Sequence, residues 1–155
     1  MRSNALLSLS LVLFSFALPA CSAYPPFGPY NITSYVSDCV LGECYYSFNI
    51  TFAPDTSYPP AYQSDTEPAF GPTKCEGSDQ QSGFVACEDS NISTNITKLS
   101  GDVGNLLVQH IWLVPDGPET RAAQYTITGN TSIELCLYEG PKEFQIYADQ
   151  ESVAA

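Results

Sequence analysis

Alternation of apolar and polar side chains is the main structural signal in this chain. In residues 45–52, Tyr46, Phe48, Ile50 and Phe52 fall on one face of an extended chain. The polar residues between them fall on the other face, which is the period-two pattern of a half-buried strand. Residues 30–36 alternate in the same way. Residues 106–114 are apolar almost throughout, which predicts a strand that is covered on both faces.

The second half of the chain continues the strand pattern. Residues 122–128 alternate, and Gly129-Asn130 lies between two alternating runs, which predicts a two-residue hairpin turn. Shorter strands are predicted at 83–87 and 144–147, and no segment has a sustained helical stripe. The predicted fold is therefore all-β, a single antiparallel β-sandwich or barrel of about eight short strands that is stabilised by disulfides.

The most apolar segment lies at the N-terminus. Arg2 precedes an apolar run over 5–18, which Pro19 ends before a group of small residues. This is the layout of a secretory signal peptide, which we predict at 1–23. Cleavage after Ala23 fits best, and cleavage after Ala20 is the alternative. The sequence thus predicts a secreted, extracellular protein, in which cysteines oxidise and Asn-x-Ser/Thr sites accept glycans.

The remaining chain has the size of one domain. Residues 24–29 hold three prolines and predict an extended leader. Residues 30–155 are predicted to form a single β domain. Within this domain, five prolines at 53–74 predict a long loop rather than a helix or a central strand.

Acidic residues outnumber basic ones strongly. The chain has 17 Asp and Glu against 5 Lys and Arg, a formal net charge of −12. Such a polyanion repels nucleic acid phosphates and anionic membrane surfaces. We therefore expect neither nucleic acid nor a membrane as a partner.

The six cysteines favour disulfides in an oxidising compartment. Cys39 and Cys44 can close a small loop between two strands, and Cys75 and Cys87 bracket a polar stretch. Their connectivity is open from sequence alone. Cys136 is then left over as a free or intermolecular thiol, with a disulfide-linked homodimer as one outcome, or as a thiol covered by a loop. Cleavage after Ala20 would instead retain Cys21, which could bridge to Cys136.

Five sequons follow the predicted signal peptide. Four have isoleucine in the middle position. On a strand this places asparagine on one face and isoleucine on the other, so an inward isoleucine presents the acceptor outward. The predicted glycosylation sites are Asn31, Asn49, Asn91, Asn95 and Asn130.

No catalytic pattern stands out. The only histidine, His110, lies in an apolar run beside Trp112, as expected of a hydrogen-bonded core or edge histidine. The chain has neither a Gly-x-Ser-x-Gly elbow nor a glycine-rich phosphate loop. We predict no catalytic, cofactor-binding or metal-binding residues and no enzymatic activity. The better candidates for function are loop aromatics beside prolines, Tyr58, Tyr62 and Phe70, which could contact a protein or stack on a sugar or cover the barrel end.

Residues 30–50 carry a family resemblance. The order is Tyr30-Asn-Ile-Thr-Ser-Tyr, then Cys39-x4-Cys44, then Tyr45-Tyr-Ser-Phe-Asn-Ile. It resembles small secreted fungal proteins of the Alternaria major allergen-like group and related elicitors. The resemblance implies a compact β-barrel or sandwich, two internal disulfides among Cys39, Cys44, Cys75 and Cys87, and a non-enzymatic role at the host interface.

These features together predict a function in binding. We expect a secreted, glycosylated, non-enzymatic protein that binds an extracellular protein, for example of a host, as a fungal effector or elicitor does. One alternative is a carbohydrate- or cell-wall-binding module that uses the loop aromatics. The other is an acidic glycoside hydrolase, in which two of the 17 carboxylates meet across a sheet.

Overall fold

The computed structural model describes residues 27–54, 67–115, 122–136 and 140–154. The predicted signal peptide, Cys21, Tyr58 and Tyr62 lie outside the described residues. Among the described residues no helix is long and apolar enough to span a membrane. The eight strands are β1 (Phe27–Val40), β2 (Glu43–Phe52), β3 (Phe70–Ser78), β4 (Val85–Ala86), β5 (Ile92–Ser100), β6 (Val103–Pro115), β7 (Ala122–Glu134) and β8 (Lys142–Ala154).

All eight strands form one antiparallel sheet that nearly closes into a barrel. Their order is β3-β2-β1-β8-β7-β6-β5-β4, so β3 and β4 are the two edges. The edges meet along a seam, where the Glu88 N–H donates to the Lys74 carbonyl at 2.9 Å and a disulfide joins Cys75 to Cys87. The all-β, antiparallel, disulfide-stabilised fold predicted from sequence is therefore confirmed, in its barrel-like form.

The core is the barrel interior, and β2 shows how the sequence builds it. Tyr46, Phe48, Ile50 and Phe52 are all buried, as the alternation predicts. On β1 the alternation is broken, because Ser34 adopts a positive φ of 56° and the pairing with β2 shifts between Thr33 and Val36. A bulge of this kind inserts one residue and reverses the faces beyond it. Tyr35 consequently points inward and Val36 outward.

The predicted hairpin at Gly129-Asn130 is wrong. Strand β7 runs without interruption through both residues, and Gly129 pairs with Val108 on one side and Ala148 on the other. The glycine is needed for close packing rather than for a turn. A Cβ at this position would lie 2.9 Å from the Tyr147 carbonyl oxygen and 3.1 Å from the Ala148 Cα.

Gly129→Ala is therefore expected to destabilise the protein by about 1–3 kcal/mol, because the methyl group would meet backbone atoms that cannot move aside. The matched control is Gly71→Ala on β3, where an added Cβ meets nothing within 4 Å. Equilibrium urea unfolding of both variants checks this difference. Equal stability of the two variants would contradict it.

Two predicted boundaries are also corrected. Strand β1 begins at Phe27 and includes the end of the predicted leader, and β3 begins at Phe70 and includes the last five residues of the predicted 53–74 loop. Proline is tolerated here because Pro29 lies where the β1–β8 register shifts and Pro72 lies on an edge strand. Strand β6 is covered on one face only, since Leu113 on the outer face is 64% exposed.

Candidate functional site

A groove of about 690 Å³ lies on the outer side of β1, β2 and β3 and reaches the seam at β4. Its apolar surface comes from three exposed side chains: Val36, Tyr45 and Val85 are 45%, 51% and 40% exposed. Exposed apolar side chains are common singly, but three that share one concavity mark a site of contact. We call this concavity the β1–β3 groove.

Strand register brings the groove residues together. The Ser34 bulge turns Val36 outward, where it pairs with Ser47, and Asp38 pairs with Tyr45 in the same face. Ser47 in turn lies opposite Glu76 on β3. The groove therefore rests mainly on three hydrogen-bonded strands, with Gln81 from the segment before β4 and Val85 from β4 at its edge.

The groove is acidic. Asp38 and Glu76 are among its lining residues, and none of the described residues that line it is a lysine, arginine or histidine. Lys74 forms an ion pair with Glu76 from outside the lining, and this pair lowers the pKa of the Glu76 carboxyl, which remains ionised. A hydrogen bond to Glu43 raises the pKa of Tyr45, so its hydroxyl stays protonated. The groove therefore combines an apolar surface with two carboxylates, of which Lys74 offsets one.

Of the three predicted binding aromatics, Phe70 lies within the described residues, and it does not line the groove. Tyr58 and Tyr62 lie outside the described residues. Phe70 is half-buried and packs toward the interior, with its ring centroid 5.0 Å from that of His110 and 6.0 Å from that of Phe52. It covers the barrel end, which was the alternative interpretation of these aromatics, and it is not an exposed contact residue.

The sequon asparagines lie on the outer face, as predicted. The central isoleucines of four sequons are buried: Ile32, Ile50, Ile92 and Ile96. Asn91 and Asn130 are exposed, whereas Asn31, Asn49 and Asn95 are half-buried. The Asn31 Oδ1 accepts a hydrogen bond from the Gln145 amide at 2.8 Å. None of the five asparagines lines the β1–β3 groove.

A cluster of three polar side chains lies inside the barrel, at the end opposite the Cys39–Cys44 turn. The Glu67 Oε1 accepts a hydrogen bond from the Tyr30 hydroxyl at 2.9 Å and lies 3.1 Å from the His110 Nδ1. All three side chains are buried, and the rings of Phe52, Phe70 and Trp112 surround them. Burial raises the pKa of Tyr30, and the Glu67 carboxylate raises it further, so the phenol remains a donor.

This buried group is structural in character. The prediction of a hydrogen-bonded core histidine is confirmed, since His110 is 2% exposed. Glu67 was missed, because nothing in a proline-rich stretch distinguishes it from the neighbouring acids. It lies 37 residues from Tyr30 and 43 from His110, separations that no local pattern detects. Glu67 holds the chain that enters β3 against the barrel interior.

The described cysteines form two groups. Cys75 and Cys87 form the disulfide across the seam. Cys39 lies within disulfide distance of both Cys44 and Cys136. Ile133 and Leu135 are buried, whereas Cys136, at the end of the described segment, is half-buried and packs against the core. Cys136 follows β7, which ends at Glu134.

Comparison of the chain with family models, curated proteins and solved structures finds no match. Among the described residues, the β1–β3 groove is a concave surface with exposed apolar side chains that another molecule can reach.

Proposed function

We propose that this chain is a secreted, glycosylated, non-enzymatic protein that binds a partner protein through the β1–β3 groove. The observation that carries the proposal is the exposure of Val36, Tyr45 and Val85 around one concavity on a rigid sheet. Apolar and aromatic side chains on regular strands lose little conformational entropy on binding, so they suit a protein contact.

The charge of the groove defines the chemistry of the partner. Asp38 and Glu76 flank the apolar side chains, and the whole chain carries a formal net charge of −12. A partner segment with aliphatic side chains and several lysines or arginines matches both features. Long-range attraction would raise its association rate, and added salt would lower that rate.

Three of the five predicted glycosylation sites lie outside β1–β3. Asn91, Asn95 and Asn130 lie on β5–β7 or the turn before β5, so glycans there leave the groove accessible. Asn49 lies two residues from Ser47 on the outer face of β2, so a glycan there would border the groove. A role as a fungal effector or elicitor at a host surface is part of this proposal. It is supported by the resemblance of residues 30–50 to that group.

Site-specific photo-crosslinking tests the proposal. The variant carries p-benzoyl-phenylalanine in place of Tyr45, and the control carries it in place of Leu113, which is similarly exposed on β6. Both are incubated with host extracellular fluid. We expect an adduct of discrete mass from position 45 only, which excess unlabelled wild-type protein suppresses and added salt weakens.

Equal labelling from both positions, or labelling that wild-type protein does not suppress, would contradict the proposal. Retention of the protein on chitin, glucan or cellulose without a protein adduct would favour the carbohydrate-binding alternative instead. Release of reducing sugar from such polymers would favour the hydrolase alternative.

A further inference from the structure

Three cysteines meet at the barrel end that is formed by the β1–β2 turn. Cys39 and Cys44 lie directly opposite each other across β1 and β2, with Cα atoms 4.0 Å apart. The Cα of Cys136 lies 5.6 Å from that of Cys39. The three Sγ atoms all lie within 4.8 Å of one another. We call these residues the cysteine cluster.

Hydrogen bonds hold Cys136 in this position. After β7 ends, the Glu134 carbonyl accepts from the Tyr35 hydroxyl at 2.9 Å. The Leu135 carbonyl accepts from the Ser37 hydroxyl at 2.5 Å, and the Leu135 N–H donates to the Asp102 carbonyl at 2.7 Å. These hydrogen bonds come from β1 and from the turn before β6, and they hold the segment that carries Cys136 beside Cys39.

Cys39 can form only one disulfide, although both Cys44 and Cys136 are within reach. When the third cysteine has no partner outside the cluster, the oxidised cluster holds one disulfide and one thiol whose Sγ lies within 4.8 Å of it. We propose that the cysteine cluster is a thiol–disulfide exchange site. The free thiolate attacks the Cys39 sulfur, forms the new S–S bond and expels the former partner as a thiolate, with no net oxidation.

The exposure of each cysteine determines which thiol reacts with reagents in solution. Cys44 is 2% exposed, and its backbone N–H donates to the Asp79 carboxylate at 3.0 Å. The Asp79 Oδ2 is buried and lies 3.8 Å from the Lys98 Nζ, with which it forms an ion pair. Cys44 is thus enclosed, whereas Cys136 is half-buried and more accessible. Cys136 is the outward-facing thiol, and the Cys39–Cys44 disulfide is its resting partner.

The substrate class that follows is a low-molecular-weight disulfide. The Cys136 thiolate attacks one sulfur of the substrate, a mixed disulfide forms at Cys136, and the second half of the substrate leaves as a thiolate. This step is balanced without a further oxidant. The site adjoins the β1–β3 groove, because Cys39 follows Asp38 and Cys44 precedes Tyr45 along the chain. Its test needs no partner protein.

Disulfide mapping of the mature secreted protein tests the proposal. The protein is quenched with acid, alkylated and digested, and both Cys39–Cys44 and Cys39–Cys136 peptides are expected beside an intact Cys75–Cys87 pair. Alkylation at neutral pH without the quench is expected to place most of the label on Cys136 and to convert the population to Cys39–Cys44. Glutathione disulfide is expected to add one glutathione, at Cys136.

Matched variants sharpen the test. Cys136→Ser is expected to remove both the free thiol and the glutathione adduct, and Cys44→Ser is expected to leave only Cys39–Cys136. Cys75→Ala/Cys87→Ala is the control, because it removes the seam disulfide, adds no free thiol and retains all three cysteines of the cluster. The proposal is overturned if wild-type protein holds a single isomer that does not redistribute at alkaline pH. A Cys136-linked dimer, a bridge from Cys21, or one tightly held zinc ion per chain would also overturn it.

Discussion

Glu67→Ala is expected to destabilise the barrel by about 3 kcal/mol. The substitution removes the single acceptor that serves both the Tyr30 hydroxyl and the His110 Nδ1. Both groups would then stay buried among aromatic rings without a partner, and a buried unpaired polar group carries its full desolvation cost. Equilibrium urea unfolding measures the loss. Trp112 is the only tryptophan and lies 4.9 Å from His110 between ring centroids, so its fluorescence reports on this region.

Two further variants test whether the loss of stability comes from the buried hydrogen bonds of Glu67 or from the removal of a negative charge. Glu67→Gln keeps a side-chain oxygen that can accept from Tyr30, so a smaller loss is expected. Glu76→Ala removes an exposed carboxylate that forms an ion pair with Lys74, an exposed lysine on the same strand. Its stability is expected to equal that of the wild type within error. A Glu67→Ala midpoint as high as that of Glu76→Ala would rule out a structural role for Glu67.

Removal of the seam disulfide is expected to have a similarly large effect. The double variant Cys75→Ala/Cys87→Ala loses a bridge between residues 12 apart, for which the chain-entropy model gives about 3 kcal/mol. The bridge also joins the two edges of the sheet, so its loss exposes the seam. Urea unfolding measures the stability, and amide hydrogen exchange at Cys87 and Glu88 measures the local opening.

Cys136→Ala is the matched control for this variant. It removes one cysteine and leaves both Cys39–Cys44 and Cys75–Cys87 able to form. We expect a midpoint near that of the wild type and unchanged exchange at Glu88, whose N–H donates across the seam to Lys74. A double variant as stable and as protected as this control would show that the barrel closes without its disulfide.

Local pattern was enough to predict the strands that pack on one face. Ile32 and Ile50 are buried, as the alternation of apolar and polar residues predicts. The sequon asparagines next to them therefore lie on the outer face. The prediction of a turn at Gly129-Asn130 was wrong for a reason that the sequence does not show. Glycine serves tight turns and close backbone contacts equally well, and only the position of Tyr147 and Ala148 decides between them.

Long-range contacts account for the other features that the sequence could not predict. The β1–β3 groove depends on the bulge at Ser34, which reverses the outward face of β1 and exposes Val36. The approach of Cys136 to Cys39 spans 97 residues and follows from the way the chain crosses the barrel end after β7. Neither feature has a local periodicity that pattern analysis can detect.

The central claim is that the β1–β3 groove binds a partner protein. The most direct measurement uses the partner protein that is captured by crosslinking from position 45. Its affinity is measured for two lysine variants of this chain, Val36→Lys in the groove and Leu113→Lys on β6. Both positions are exposed, and both variants gain the same charge. We expect Val36→Lys to weaken binding at least about tenfold, which corresponds to about 1.4 kcal/mol, and Leu113→Lys to change it little. Equal affinity of the two variants would contradict the claim.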